Sequence, residues 1–411
     1  MTKSDKYMRA SKPITVEFLS PVSGKPLKLE SEFCLTDGEG ERWPVIEGIP
    51  YLRAGSRQRA KEVLRALEGG DTDAALCILL CESDGWWDEP PPSEADLRHL
   101  LQERHHLTLR DAMEYLGYGR VGTYFAHRWS DPTYVAGLAL LDAHWRAPAT
   151  AFELACGIGH YIRALDQVGV ATLGADIVFS KLWLARNWVL GQRPLLVCFD
   201  AEQPWPIDVN VDLALCHDAF YFFRNKSFVA TSLGKAALGG TMAVAHVHNT
   251  TANNLSGAAS INFMDLRALF PGATIYDDAE LTRAGSEGRS PVLSKNLDKV
   301  EAFSLVTDGF SAWSASSNNL EVSYNLEVSC NPPEPLKANG PLSRPPDGTP
   351  LRRNPLCSNG SVLWPSQRYE AEYGSSVTWH CTPNIQDYAI MSPEHEASVA
   401  RRELLDIPER W

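Results

Sequence analysis

The run Ala151-Phe152-Glu153-Leu154-Ala155-Cys156-Gly157-Ile158-Gly159-His160-Tyr161 constrains this chain more than any other. Its short apolar start reads as a buried parallel strand, the two glycines make a turn, and Tyr161 to Val168 continues at helical spacing. Strand, glycine turn and helix in that order form a nucleotide-type binding loop. Three acids follow at regular intervals. Asp176 closes the small apolar run from Ala171, Asp200 closes Leu195 to Phe199, and Asp212 opens the run to Cys216. Four buried strands, each beginning or ending at a carboxylate, predict an α/β fold built on a Rossmann-like sheet.

The glycines decide the kind of cofactor. A dinucleotide loop wants a third small residue three positions after the second glycine, and that position is Ile162. A pyrophosphate is therefore disfavoured. A phosphate-free cofactor with a ribose, an adenine and an amino-acid tail suits the pattern better. Gly157 and Gly159 would let the backbone approach it, Asp176 would accept both ribose hydroxyls, and Asp200 would accept from the adenine amino group.

With Glu153 to Gly159, then Gly174-Ala-Asp176 and the helix Lys181 to Trp188, then Phe199-Asp200-Ala-Glu202, the chain resembles the class I S-adenosylmethionine-dependent methyltransferases over roughly residues 120 to 285. The resemblance implies S-adenosyl-L-methionine as the cofactor and adds Glu153, Ala155, Ile177 and Ala201 to its contacts. Taken singly, a Gly-x-Gly is an ordinary tight turn and an Asp at a strand end is a helix cap. Their joint order carries the cofactor reading.

At 411 residues the chain can hold two or three domains, and with 44% hydrophobic and 22% charged residues its composition is that of a soluble globular protein. The net charge of −13 argues against a broad phosphate-binding surface, though it leaves room for a local basic groove. None of the nine cysteines falls in a Cys-x-x-Cys pair, and several (Cys156, Cys198, Cys216) lie in predicted strands. They read as reduced core residues of a cytosolic protein. The start Met-Thr-Lys-Ser-Asp-Lys lacks a signal peptide's apolar core, and no apolar run approaches a membrane span. Cytoplasmic localisation is the expectation.

Four segments are expected. Residues 1–55 alternate short strands and turns, and the wording Leu19-Ser-Pro-Val-Ser23 with Trp43-Pro-Val-Ile-Glu-Gly-Ile-Pro50 resembles the zinc-ribbon-like methyltransferase-activator modules. The zinc-ligand pair of that family falls on Ser20 and Ser23, with Cys34 at a third position, and neutral hydroxyls are poor ligands, so no metal is expected. The module's role is docking against the catalytic domain or a partner, or packing alone. Residues 56–120 read as helical, with Ser93-x-x-Asp96 resembling a capping box. Residues 121–286 form the cofactor-binding domain. Residues 287–411 read as a mostly β appendage completing the sheet and shaping the acceptor pocket, with strands at Ala302 to Val306 and Leu320 to Val328, a long loop from Asn331 to Gly360 and a final helix from Glu394 to Leu405.

Methyl transfer from a sulfonium is an in-line displacement, so acceptor and methyl must be aligned and a proton removed from a hydroxyl or protonated amine. Ligands of open parallel sheets lie at the strands' C-terminal ends. That directs attention to Cys216-His217-Asp218, directly after the fourth strand, and to His246-Val-His248 near the end of the fifth. Period-two alternation puts both histidines of the latter on one face. His217 and His248 rank first as general base, His246 behind them, and Asp218 would orient an imidazole or hold the substrate. The alternative for each histidine is a satisfied core residue. The His pair suggests a metal as well, but no acid or Cys accompanies it at a recognised spacing, and none is expected. By the family resemblance Tyr124, His127 and Arg128 are candidate lid and substrate residues, with core packing the alternative for Tyr124 and Trp129, and Tyr221 is the candidate in the aromatic run 220–223.

The expected function is methyl transfer to oxygen or nitrogen of a small organic acceptor, with natural products among the candidates. The alternatives are an RNA methyltransferase, which needs a basic groove the sequence does not show, and a catalytically lapsed cofactor-binding interaction protein. The expected partner is the small-molecule acceptor. Neither a membrane nor a nucleic acid is expected as a partner, and a homo-oligomer is left open.

Overall fold

The computed structural model describes residues 13–82, 90–252, 260–308, 340–363 and 380–411. Seven strands make the central sheet: β1 (Thr150–Leu154), β2 (Ala171–Asp176), β3 (Leu195–Cys198), β4 (Leu213–His217), β5 (Thr241–His248), β6 (Thr274–Asp277) and β7 (Ala302–Asp308). They lie in the order β6-β7-β5-β4-β1-β2-β3. The pairs from β5 through β4, β1 and β2 to β3 are parallel, and β7 runs antiparallel to both β5 and β6. This is the Rossmann-like α/β class that the glycine turn and its acids predict. Every residue of β1, β4 and β5 is buried, because helices cover both faces of a parallel sheet.

The helix Pro132–Ala143 explains its own apolar sequence: all twelve of its residues are buried, as in a helix that is surrounded rather than amphipathic. Asp131 caps it by accepting from the Thr133 N–H at 2.8 Å. On one side it meets the helix Asp278–Glu287, where the Thr282 hydroxyl donates to the Pro132 carbonyl at 2.9 Å. On the other side Tyr161 donates to the Thr133 carbonyl at 3.1 Å.

The N-terminal residues form a four-stranded antiparallel sheet of Lys28–Ser31, Cys34–Thr36, Arg42–Ile46 and Ile49–Pro50. It joins the main body twice. Val16–Phe18 pairs antiparallel with Ile207–Val209, and Tyr51 bridges Cys198 in parallel at the β3 edge, with the Leu52 N–H donating to the Cys198 carbonyl at 2.8 Å. Ser20 and Ser23 serve a turn: the Ser20 hydroxyl accepts from the Ser23 N–H, and the Ser23 hydroxyl donates to Asp37 at 2.8 Å. Helices Arg57–Glu68, Thr72–Leu80, Glu94–Glu103, Leu109–Tyr115 and Gly119–His127 follow. None of the described helices is long and apolar enough to cross a membrane.

The C-terminal residues depart from expectation in three places. The predicted helix from Glu394 to Leu405 is only a turn at Pro393–His395 and a helix at Glu396–Ala400, because Arg402 takes φ +59° and Leu404–Leu405 pairs with Pro350–Arg353 instead. Pro350–Arg353 is therefore a strand inside what reads as a long loop, and it also pairs with Tyr388–Ile390. Cys357 and Cys381, expected to be reduced, are joined by a disulfide with their Cα atoms 6.1 Å apart, in a small cluster with Val362 that has little core of its own. The expected strand Leu320 to Val328 lies outside the described residues. The region is fastened to the sheet domain through Asp142, which accepts from the Leu342 and Ser343 N–H groups, and through a two-pronged Arg163–Asp406 pair with both contacts at 2.7 Å.

Gly137 sets the closeness of this packing. A Cβ there would lie 2.2 Å from the Tyr161 hydroxyl and 2.9 Å from His217 Cδ2. Replacing Gly by Ala inside a helix normally stabilises by roughly 1 kcal/mol. Here the clash decides the sign: Gly137→Ala should destabilise by about 1–3 kcal/mol in chemical denaturation, and a stabilised variant would contradict the packing described.

Candidate functional site

The chain turns sharply after β1. Ala155, Gly157 and Gly159 all have positive φ, at +56°, +56° and +86°. The alanine among them carries a cost of roughly 1–2 kcal/mol that glycine would avoid, a strain of the kind stored at functional sites. Gly159 opens the helix His160–Gln167. Asp176, at the end of β2, holds the turn from the neighbouring strand: one carboxylate oxygen accepts from the Gly157 N–H and the other from the Val178 N–H, both at 2.9 Å. Lys181 Nζ stands 3.9 Å from the same carboxylate. The Phe199 N–H donates to the Asp176 carbonyl at 3.1 Å, tying the segment after β3 to the end of β2.

Glu153 lies within β1 and is buried. Burial pushes its carboxyl up to about 8, against the lesser opposing pull of Arg128. The Ile162 N–H donates to it, while its Oε2 has no hydrogen-bond partner among the described residues. Asp200 is half-buried and accepts from the Glu202 N–H at 2.9 Å. Ile177 and Ala201 follow the ends of β2 and β3. The eight residues predicted around the cofactor thus gather at the C-terminal ends of β1, β2 and β3. The Gly119–His127 helix lies across them: a Cβ on Gly157 would stand 3.2 Å from the Phe125 ring, and His160 Nε2 donates to the Phe125 carbonyl at 3.0 Å.

A second group of polar residues collects at the ends of β4 and β5. Asp218 (φ +52°) accepts from Tyr124 at 2.8 Å, Arg128 at 3.0 Å and Tyr221 at 2.7 Å. Arg128 is buried and also donates to the Thr133 hydroxyl at 3.1 Å and to Tyr124. A buried guanidinium is tolerable only when paired and hydrogen-bonded, and Asp218 supplies both. On β5 the register shifts between Val244 and Val247, and His246 takes φ +54°. The bulge breaks the simple alternation expected of this strand, yet the two rings still converge: His246 Nε2 and His248 Nε2 are 3.0 Å apart. His246 Nδ1 donates to Asp278 at 3.0 Å, and the Ser304 hydroxyl donates to the other Asp278 oxygen. The His248 ring stacks on Tyr221 with centroids 4.2 Å apart. Burial alone would lower the His246 imidazole, but the Asp218 and Asp278 carboxylates hold it up at about 10.

His217 behaves oppositely. Burial first, and the Arg128 charge second, push it down to about 3, so the ring is neutral. It packs edge-on against Tyr161 at 4.5 Å, and neither ring nitrogen has a hydrogen-bond partner among the described residues.

Of the residues expected near the acceptor, Tyr124, Arg128 and Tyr221 join Asp218, His246 and His248. His127 does not. His127 is the last residue of the helix and Arg128 the first of the tighter turn Arg128–Ser130 that follows, and the change of winding sends only Arg128 back to Tyr124. His127 instead lies edge-on to Trp411 at 5.4 Å and lines a cavity of about 750 Å³ with Arg110 and Thr123; burial and Arg110 lower it to about 4. Asp278, Ser304 and Glu301 complete the cluster and were not anticipated. The only signal for the first was the Asp277-Asp278 pair closing an apolar run.

No protein-family model matches the chain, and no curated protein matches it in sequence. Solved structures with similar folds include a putative methyltransferase from Bacillus halodurans C-125, at 14% identity and TM-score 0.31 over 43% of this chain and 98% of that one. The phosphoethanolamine N-methyltransferase 2 of Haemonchus contortus, in complex with S-adenosyl-L-methionine, is similar at 15% identity and TM-score 0.33, over 42% of this chain and 46% of its own length, less than half of that protein. The plantazolicin methyltransferase, in complex with a triazolic desmethyl analogue and S-adenosylhomocysteine, is similar at 13% identity and TM-score 0.33 over 46% of this chain and 87% of that one. The case for function rests on the chain's own residues.

Proposed function

We propose that this chain transfers a methyl group from S-adenosylmethionine to an oxygen or nitrogen of a small organic acceptor. The observation that carries the reading is the left-handed turn after β1, bound to the Asp176 carboxylate at the end of β2, beside a buried Glu153 oxygen that lacks a hydrogen-bond partner among the described residues. An ammonium group is the natural partner for such an oxygen, and the donor's amino-acid tail carries one. Asp176 has lone pairs left for ribose hydroxyls, Asp200 can accept from the adenine amine, and Gly157 and Gly159 leave the backbone open to close approach. When bound, the sulfonium supplies an electrophilic methyl group.

The chain's own contribution is alignment. The Tyr124–Arg128–Asp218–Tyr221 group is rigid through mutual hydrogen bonding, so an acceptor set against it is held in one orientation. His217 is neutral, and burial beside Arg128 makes it too weak a base to hold the released proton, so its ring nitrogen serves to accept a hydrogen bond that orients the acceptor's hydroxyl or amine. Burial of Arg128, His217, His246 and His248 supports a small acceptor over a polymer, and the net charge of −13 supports an acceptor other than nucleic acid.

Calorimetry with S-adenosylhomocysteine tests the donor site. Binding should be measurable and should weaken at least about tenfold in Asp176→Ala, the loss of roughly one good hydrogen bond to a charged group. Absence of binding to the wild-type chain would overturn the reading.

Glu153 gives a test without substrate. Its folded carboxyl titrates at about 8 against an ordinary 4.5. The folded state therefore binds the extra proton between those values, and stability from this group falls as pH rises through the window. Glu153→Gln should melt higher than wild type at pH 8.5, match it near pH 4.5, and bind S-adenosylhomocysteine more weakly. A pH-independent difference in melting would contradict the assignment. Once an acceptor is found by mass gain of one methyl, His217→Ala should lower kcat by roughly tenfold, the loss of one orienting hydrogen bond, with donor affinity unchanged, and full activity would remove His217 from the mechanism.

A further inference from the structure

We infer that His246, His248 and Glu301 form a binding site for one divalent first-row metal ion at the end of β5. The ligand atoms of these three residues all lie within 4.8 Å of one another. The two imidazole Nε2 atoms share a hydrogen bond at 3.0 Å, which a bound ion would replace, and Glu301 Oε1 is 3.7 Å from His248 Nε2. Two nitrogens bound at about 2.1 Å to a single ion and at right angles to each other stand about 3.0 Å apart. A tetrahedral pair at that bond length would stand nearer 3.4 Å. The separation therefore fits two adjacent positions of a six-coordinate ion, with the carboxylate taking a third and the remaining positions open to oxygen ligands.

The surroundings are built as a metal ligand's surroundings are. His246 donates a hydrogen bond from Nδ1 to Asp278, which also accepts from the Ser304 hydroxyl, and this fixes the ring so that Nε2, once an ion displaces its proton, points at the shared position. His248 is held in plane by Tyr221, whose hydroxyl is fixed by Asp218. The backbone is bent to serve the same end, since the β5 bulge and the left-handed His246 bring the two side chains together. Both histidines are fully buried, and both carboxylate oxygens of the partly exposed Glu301 are buried with them, so the ligand atoms lie out of solvent. Two imidazoles and one carboxylate are the ligand set of zinc, ferrous iron and their neighbours rather than of calcium or magnesium.

The site goes beyond methyl transfer and stands or falls without it. It lies beside Tyr221 and Asp218, so an ion there could take an oxygen of the acceptor into an open position, and that part rests on the methyltransferase reading.

The test uses the full chain, stripped with a chelator and dialysed, then titrated with Co²⁺ while its visible absorption is followed, and with Zn²⁺ by calorimetry. The expected result is one equivalent per chain. Glu301→Gln and His248→Asn should each weaken binding by at least tenfold, and Asp278→Asn by about 10–100-fold through the orientation of His246. Glu301→Gln alters a partly exposed residue, and an unchanged melting temperature shows that it folds. No stoichiometric binding to the wild-type chain, or binding of the same affinity in Glu301→Gln and His248→Asn, would overturn the site. Stoichiometric metal in a chain that fails to bind S-adenosylhomocysteine would uphold the metal site and strike down the methyl-donor reading alone.

Discussion

The carboxylate of Asp176 holds together the part of the molecule on which the rest depends. It ties the turn after β1 to the end of β2 by accepting from Gly157 and Val178, and the carbonyl of the same residue receives the Phe199 N–H beyond β3. Three strand ends are thereby locked into one edge. A turn containing Ala155 at positive φ would otherwise relax, and the carboxylate's two charge-assisted bonds, each worth roughly 1.5–3 kcal/mol, outweigh that strain.

A second constraint acts on the neighbouring strands. Burying Arg128, His246, Asp218 and Asp278 together is tolerable only because Arg128 donates to Asp218 and His246 donates to Asp278. Hydrophobic residues of similar volume would do as well for stability. The retention of a charged cluster at the mouth of β4 and β5, beside a turn shaped for a ligand, is the pattern of a site. The same cluster explains why His217 and His246 titrate in opposite directions. His217 faces an aromatic ring and a guanidinium, and His246 faces two carboxylates.

The sheet was legible in the sequence because its strands are short apolar runs punctuated by Asp176, Asp200 and Asp212, and parallel strands need no finer pattern. The residues around the turn were legible for the same reason: they follow strand ends in chain order. The rest depended on contacts that sequence spacing does not encode. Arg402 in a left-handed conformation shortened the last helix, and no local signal marks an arginine for that region. His127 ends a helix and Arg128 opens the tighter turn after it, so only the change of winding between them separates neighbours in sequence. Glu301 lies more than fifty residues beyond His248 and reaches it through the antiparallel return of β7, which is why a metal was not expected from the histidine pair alone.

The most direct measurement is the structure of the full chain crystallised with S-adenosylhomocysteine. The account predicts the cofactor across the ends of β1, β2 and β3, with its ammonium on Glu153 Oε2, its ribose hydroxyls on Asp176 and its sulfur turned toward the cluster around Asp218. Density for the ligand elsewhere, such as the cavity beside His127 and Trp411, with the turn after β1 empty, would contradict it.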